Sequence, residues 1–448
     1  MKKVNKFIFE IENQQLKILK KVKQFINYQK KNKIDTSLSN FGFFSTYGHS
    51  PGKFLLEFWL KKINIFELVN KLTKAVFSIS SLHNYQILNF KNQNFVNLFI
   101  SWGKLENFSN GTYIDNFLNY NSKNLKNSLI FVISLDNKFP NKIPSNVIIF
   151  LKKDNSRSFS YLLKSFCIFL KKNLFNLNRF IYYFSYNPIY SKIIFDNIKL
   201  IINNQKIKKI ILPYEGQTSQ NFMIQEIKKI NSNCITIGIT HAMIPALPLN
   251  FIHREGSPDK IYLTGQDQKD LFVRRLGWKK DQIFLIPSLR LKKKKIISNK
   301  NIIFLPLKIE KPREILNIIH NYLINFKHDR KTLFVRNHPQ SHEIKNNIIV
   351  FNNLNKIILK LKLQTNFNKN NVFFYIGSTS AFIENLEKGI DAIHISSNPV
   401  LECYSNRLWP NIDLLSKSNN IFEYKLNKKK KLILLSAKNY SLLNTNIL

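Results

Sequence analysis

The stretch NVFFYIGSTSAFIENLEKGIDAIHIS, residues 371–396, holds the pattern that decides the fold. Val372–Ile376 is an apolar run of strand length. The small residues Gly377, Ser378, Thr379 and Ser380 then turn the chain, and the spacing predicts a helix over about 379–388 closed at Gly389. A second apolar run at 391–396 reads as the next strand. Strand, helix and strand in so short a span is the mark of parallel α/β layering.

The same rhythm extends outward on both sides. Downstream of residue 300, NIIFLPL (301–307), TLFVRNHP (332–339) and NIIVF (347–351) read as strands, with a helix opened by Pro312 between the first two. Upstream, KIILP (209–213), CITIGIT (234–240), KIYLTG (260–265) and QIFLIPS (282–288) read as strands, with a helix at about 267–277 ended by Gly277. SLIFVISL (128–135) and VIIFLKK (147–153) add two more, and 159–174 reads as a helix. Residues 1–36 and 54–75 carry helical patterns, separated by a loop with three glycines at 40–53. LRLKKKKIISNKN (289–301) has no period and reads as a connector. The chain is therefore expected to be α/β, with two Rossmann-like domains facing an interdomain cleft. They are an N-terminal domain over 1–290 with a helical extension, a basic linker at 291–300, and a C-terminal domain over 301–448 with a basic tail.

Of the 448 residues, 69 are Lys or Arg and 27 are Asp or Glu, a formal charge of +42. Such a surface suits nucleic acid, an anionic membrane or anionic substrates. The lysines are scattered along the whole length, however, beside abundant Asn, Ile and Phe, which is the signature of compositional drift. The 38 Phe fall in apolar patterns that read as core, so no specific nucleic-acid partner is expected. Three widely spaced cysteines exclude a disulfide scaffold and suit a reducing cytosol. The N-terminus lacks the continuous apolar core of a secretory signal, and no run of about 18 apolar residues occurs. A cytoplasmic protein is expected, soluble or peripheral on an anionic inner membrane surface.

Ligands of parallel α/β sheets sit at the carboxyl ends of strands, and small or titratable residues gather there. Gly377, Ser378, Thr379 and Ser380 precede a helix, where N–H groups, hydroxyls and the helix dipole favour phosphate; the same turn would serve as an ordinary cap. Pro339 fixes the chain after His338, whose imidazole could donate to a phosphate oxygen, and Arg336 lies two residues earlier. Glu215 follows a strand next to Gly216 and could take a proton, or simply favour a helix start. His241 ends the next strand, where it could bind donor or acceptor or be packed. Asp267 and Asp270 read as helix-start acids, and no metal site is expected. No Walker loop, GxGxxG, HExxH or CxxC occurs.

RNHPQSHE (336–343) and YIGSTSAFIENLEKGIDAIHI (375–395) resemble the nucleotide-binding half of GT-B glycosyltransferases of surface-polysaccharide assembly. These include capsule and lipopolysaccharide enzymes and bacterial sialyltransferase-like families. YEGQTSQ (214–220), GITHAMIPALPLNFI (238–252) and YLTGQDQKDLFVRRLGW (262–278) resemble the matching front half, and FISWGKLENFSNGTYIDNF (99–117) is a looser echo. The resemblance spans roughly Leu212 to Asn398. It implies a GT-B fold in which His338, Ser378, Thr379 and Ser380 hold the nucleotide phosphate with help from Arg336. Glu215 would be the general base, although Tyr214 stands where the family has a second acid. His241 matches a motif histidine, with Ala242 where glycine is usual. The implied activity is metal-independent transfer of a sugar to a surface glycan or lipid-linked acceptor. The donor is a nucleotide sugar, a CMP-activated acidic sugar among the candidates, with no cofactor beyond that co-substrate. A basic nucleic-acid-binding protein and a non-catalytic relative are the competing readings.

Overall fold

The computed structural model describes residues 2–41, 51–61, 63–90, 94–125, 127–157, 163, 185–241, 243–288, 301–309, 311–325, 333–338, 341, 344–360, 372–377, 379 and 381–427. All of the helix expected at 159–174 but residue 163, the connector at 291–300 and the basic tail from 428 lie outside the described residues.

The chain opens with a long helix, α1 (Lys2–Lys31), then a helical hairpin of α2 (Pro51–Trp59) and α3 (Ile65–Phe77). Strands β1 (His83–Leu88) and β2 (Asn97–Gly103) follow, then a small meander of β3 (Phe108–Ser109), β4 (Thr112–Asp115) and β5 (Tyr120–Asn121). Next come β6 (Ser128–Ser134), β7 (Val147–Arg157), α4 (Tyr186–Asn204), β8 (Lys209–Pro213), α5 (Thr218–Ile230), β9 (Ile235–Ile239), β10 (Lys260–Leu263), α6 (Gln266–Leu271) and β11 (Ile283–Leu285). The second half holds β12 (Asn301–Phe304), α7 (Pro312–Asn325), β13 (Leu333–Arg336), α8 (Lys345–Lys360), β14 (Val372–Ile376), α9 (Ala381–Glu387), β15 (Asp391–Ile395), α10 (Pro399–Glu402), β16 (Ile412–Ser418) and β17 (Ile421–Leu426).

The first sheet has eight strands in the order β1-β7-β6-β2-β8-β9-β10-β11. All neighbours are parallel except the β1–β7 edge pair. Counted from β2, its seven parallel strands run in the order 3-2-1-4-5-6-7, a doubly wound order with one added edge strand, which places the topological switch point between β2 and β8. The apolar runs are continuous because both faces are covered. Leu98, Ile100, Phe131, Phe150 and Ile210 pack toward α4 and α5, while Phe99, Ile130, Val132, Ile211 and Ile237 pack under the meander with Tyr113 and Tyr120.

The second sheet runs β13-β12-β14-β15-β17-β16, with β12 to β15 parallel and β17 and β16 antiparallel. Its switch point falls between β12 and β14. Ile303, Phe374 and Ile393 pack on Ile315 and Ile319 of α7 and Val350 and Leu354 of α8. The opposite face (Phe373, Tyr375, Phe422, Tyr424) joins the large core shared with the first half. The architecture is thus mixed α/β with two largely parallel sheets.

Two expectations need correction, and one element is new. Residues 347–351 are not a strand but the first turns of α8, where Asn347, Val350 and Leu354 are buried at spacings of three and four; the four adjacent apolar residues Ile348–Phe351 mask the helical period. The helical pattern over 54–75 is two helices, because Asn64 caps α3: its side chain accepts from Glu67 N at 2.9 Å, and Glu67 accepts from Asn64 N at 3.3 Å. The hairpin of β16 and β17 was not anticipated.

The halves are joined through specific polar contacts. Tyr404 Oη donates to the Ile244 carbonyl at 2.7 Å and Trp409 Nε1 to the Ala246 carbonyl at 2.9 Å. Asp267, read from sequence as a helix-start acid, accepts from Asn411 N at 3.0 Å and Nδ2 at 2.7 Å. Helix α1 also reaches across: Gln15 Nε2 donates to the carbonyls of Val400 (3.0 Å) and Cys403 (2.7 Å). Among the described residues no helix is long and apolar enough to cross a membrane.

Candidate functional site

The front of the site is built on the turn after β8. Gly216 has φ +67°, and a Cβ there would lie 2.3 Å from the Asn250 carbonyl oxygen, so only glycine fits. Gln220 ties the turn: its Oε1 accepts from Glu215 N (2.9 Å) and Gln217 N (3.0 Å), and its Nε2 donates to the Pro213 carbonyl (2.7 Å). Arg254 holds it from below. This buried guanidinium donates to the carbonyls of Gly216 (3.0 Å), Asn250 (2.6 Å), Ile252 (3.1 Å) and Ser39 (3.2 Å), and its Cζ lies 5.1 Å from the Phe41 ring centroid. Burial lowers its pKa to about 10, which leaves it charged at neutral pH.

This scaffold leaves the Glu215 side chain half exposed, with Oε1 3.5 Å from His241 Nε2. Glu215 Oε2 accepts from Gln217 Nε2 at 3.2 Å. The His241 side chain is only 10% exposed, and its ring meets Phe117 edge-on at 4.9 Å between centroids. Two residues picked separately from the sequence are therefore neighbours, at the ends of adjacent strands beside the switch point.

Sequence reasoning missed the group behind them. At the end of β2, Ser101 Oγ lies 2.8 Å from Tyr113 Oη and donates to Asp115. Asp115 in turn accepts from Phe117 N at 2.8 Å, fixing the ring that backs His241. Burial raises the Asp115 pKa. The signal lay in the 99–117 stretch, but polar residues spaced 12 and 14 apart announce no contact until the meander folds.

At the rear, β13 ends at Arg336, which is exposed and lies 5.7 Å from the Phe304 ring centroid. His338 follows, half-buried, beyond the strand rather than on its face; its carbonyl accepts from Ser341 N and Oγ, both at 2.9 Å. Gly377 ends β14 at φ +59° with its N–H on the Ile395 carbonyl at 2.9 Å. Thr379 Oγ1 accepts from Ala381 N at 3.3 Å, the geometry of a cap. Pro339, Ser378, Ser380 and Ala242 lie outside the described residues. His338 and Gly377 share a carboxyl edge, but β12 stands between their strands, a separation of about 10 Å from strand spacing. A phosphate held by both would rest over the end of β12.

The glycine turn has a support that the sequence did not announce. His394, buried in β15, places Nε2 2.8 Å from the Gly377 carbonyl and Nδ1 3.0 Å from Tyr424 Oη. A carbonyl only accepts, so Nε2 carries the proton and Nδ1 accepts from the tyrosine. Burial lowers the His394 pKa to about 4, which keeps the ring neutral. Beside the turn, the buried Glu402 accepts from Ser396 Oγ and, at 3.4 Å, from Asn398 N. Among the described residues, no group of three or more His, Cys, Asp or Glu is placed to hold a metal ion.

No protein-family model matches the sequence, and no curated protein matches it. Among solved structures, a UDP-GlcNAc 2-epimerase from Methanocaldococcus jannaschii is similar at a TM-score of 0.36 and 11% identity, over 68% of this chain and 86% of that one. A UDP-GlcNAc 2-epimerase from Neisseria meningitidis bound to UDP-GlcNAc gives 0.37 and 9%, over 68% and 83%. A glycosyltransferase from Rickettsia africae gives 0.30 and 12%, over 68% and 79%. Likeness this distant assigns no activity.

Proposed function

We propose that this protein is a GT-B-type glycosyltransferase that moves a sugar from a nucleotide donor to a glycan or lipid-linked acceptor without a metal ion. The observation that carries the reading is the Glu215–His241 pair, 3.5 Å apart beside the switch point of the first sheet. It occurs in a chain whose second sheet carries Arg336, His338, Gly377 and Thr379 along its own carboxyl edge. In this mechanism the Glu215 carboxylate accepts the proton of the acceptor hydroxyl, and His241 orients the carboxylate. The acceptor oxygen bonds to the anomeric carbon as the bond from that carbon to the donor phosphate oxygen breaks. The electron pair leaves on the phosphate, where Arg336, His338 and the turn after Gly377 offset the developing charge. A cationic surface suits a CMP-activated acidic sugar, which brings charge on both its nucleotide and its sugar.

A panel of nucleotide sugars in the presence of EDTA tests the reading by nucleotide release. One donor is expected to turn over, and Glu215→Gln to slow release on the order of 100-fold or more while nucleotide binding persists. Release from no donor, or full activity in Glu215→Gln, contradicts it.

A further inference from the structure

Helix α3 is apolar on two sides. Leu68, Leu72 and Ala75 face inward and form a small core with Phe54 of α2. A second stripe faces out: Ile65, Val69 and Phe77, with Phe66 beside it, at exposures of 51%, 55%, 71% and 83%. Phe58 and Trp59, at the end of α2, are 39% and 42% exposed and line an open groove with Lys61, Ile63, Asn64 and Glu67. Side chains this apolar, gathered on one hairpin, are costly to leave in water.

The charge around the stripe identifies what covers it. Residues 51–77 hold five lysines and two glutamates. Glu57 is paired to Lys71 at 2.7 Å, and Lys61 and Lys74 are exposed at the margin of the apolar stripe. A second copy of the chain would present the same lysines on a molecule of net charge +42 and be repelled. An anionic bilayer satisfies both features, taking the aromatic rings at the headgroup boundary and pairing the lysines with lipid phosphates. We propose that the α2–α3 hairpin docks this protein on anionic lipid, with Phe66, Phe77 and Trp59 entering the interface. The proposal stands independently of the transferase reading.

Flotation with vesicles of phosphatidylglycerol and phosphatidylcholine, against phosphatidylcholine alone, tests it at physiological salt. The full chain is expected to float with the anionic vesicles. Phe66→Ser/Phe77→Ser keeps the charge and removes the wedge, and is expected to lower partitioning at least tenfold with the melting temperature unchanged. Trp59, 42% exposed, supplies an internal reporter: Trp278 and Trp409 are buried at 3% and 0% exposure, and Trp102 is half-buried in β2, outside the hairpin. Lipids brominated in their acyl chains are expected to quench the full chain but not Trp59→Phe. Equal partitioning of the double variant would show attraction by net charge alone and overturn the proposal. So would failure to float, absence of quenching, or a dimer abolished by the double variant in a chain that ignores vesicles.

Discussion

The two carboxyl edges are held in different ways. At the front, Glu215 and His241 touch, and the turn beneath them is tied locally by Gln220 and fixed by partners from distant parts of the chain, Arg254 and the Asn250 carbonyl. At the rear, Thr379 caps its own helix and His338 lies just beyond a strand one removed from that of Gly377. A proton-transfer pair of the kind proposed for Glu215 and His241 has to be positioned before its substrate arrives, and long-range packing would supply that order. A phosphate seat can be made from backbone turns that a short motif encodes by itself.

Gly216→Ala attacks the front directly. Its Cβ would meet backbone at 2.3 Å in a left-handed conformation, so a loss of about 4 kcal/mol is expected in urea unfolding. Gly389→Ala is the comparison. It shares a positive φ of +79° but has nothing within 4 Å, so about 1 kcal/mol is expected. Equal losses at both glycines would mean that conformation alone matters and that the front turn is not locked by packing.

The rear is sharpened by pH. His394 has a folded pKa of about 4, below its unfolded value of about 6.5. The unfolded chain therefore takes up the proton first, and stability drops as pH falls from about 6.5 toward 4. Between pH 7 and pH 5 this one ring is expected to cost on the order of 2 kcal/mol. His394→Gln retains a donor for the Gly377 carbonyl and cannot titrate, so its unfolding free energy should change less over that interval. Identical pH dependence in the two proteins would mean that the ring is not held neutral against the glycine turn.

The rear is also where the sequence was most legible. Gly377, Thr379 and the strands around them follow local rules of turn, cap and apolar run. At the front, Glu215 and His241 were visible as strand-end residues, but their contact and its supports were not. Arg254, Asp115 and Ser101 act through folded distance, and no spacing along the chain reports that. His394 was hidden differently: it reads as one polar residue in an apolar strand until Tyr424 arrives from a hairpin that the pattern did not reveal. The misread strand at 347–351 shows the limit of short apolar runs, which fit helix and strand alike until burial separates Val350 and Leu354 from their neighbours.

The proposed nucleotide seat on the second sheet is tested most directly by thermal shift with CMP, CDP, UDP and GDP on the full chain, His338→Ala and Glu215→Gln. One nucleotide should raise the melting temperature of the full chain and of Glu215→Gln by mass action, and leave His338→Ala unmoved. No shift with any nucleotide, or an undiminished shift in His338→Ala, would contradict a phosphate seat at this edge.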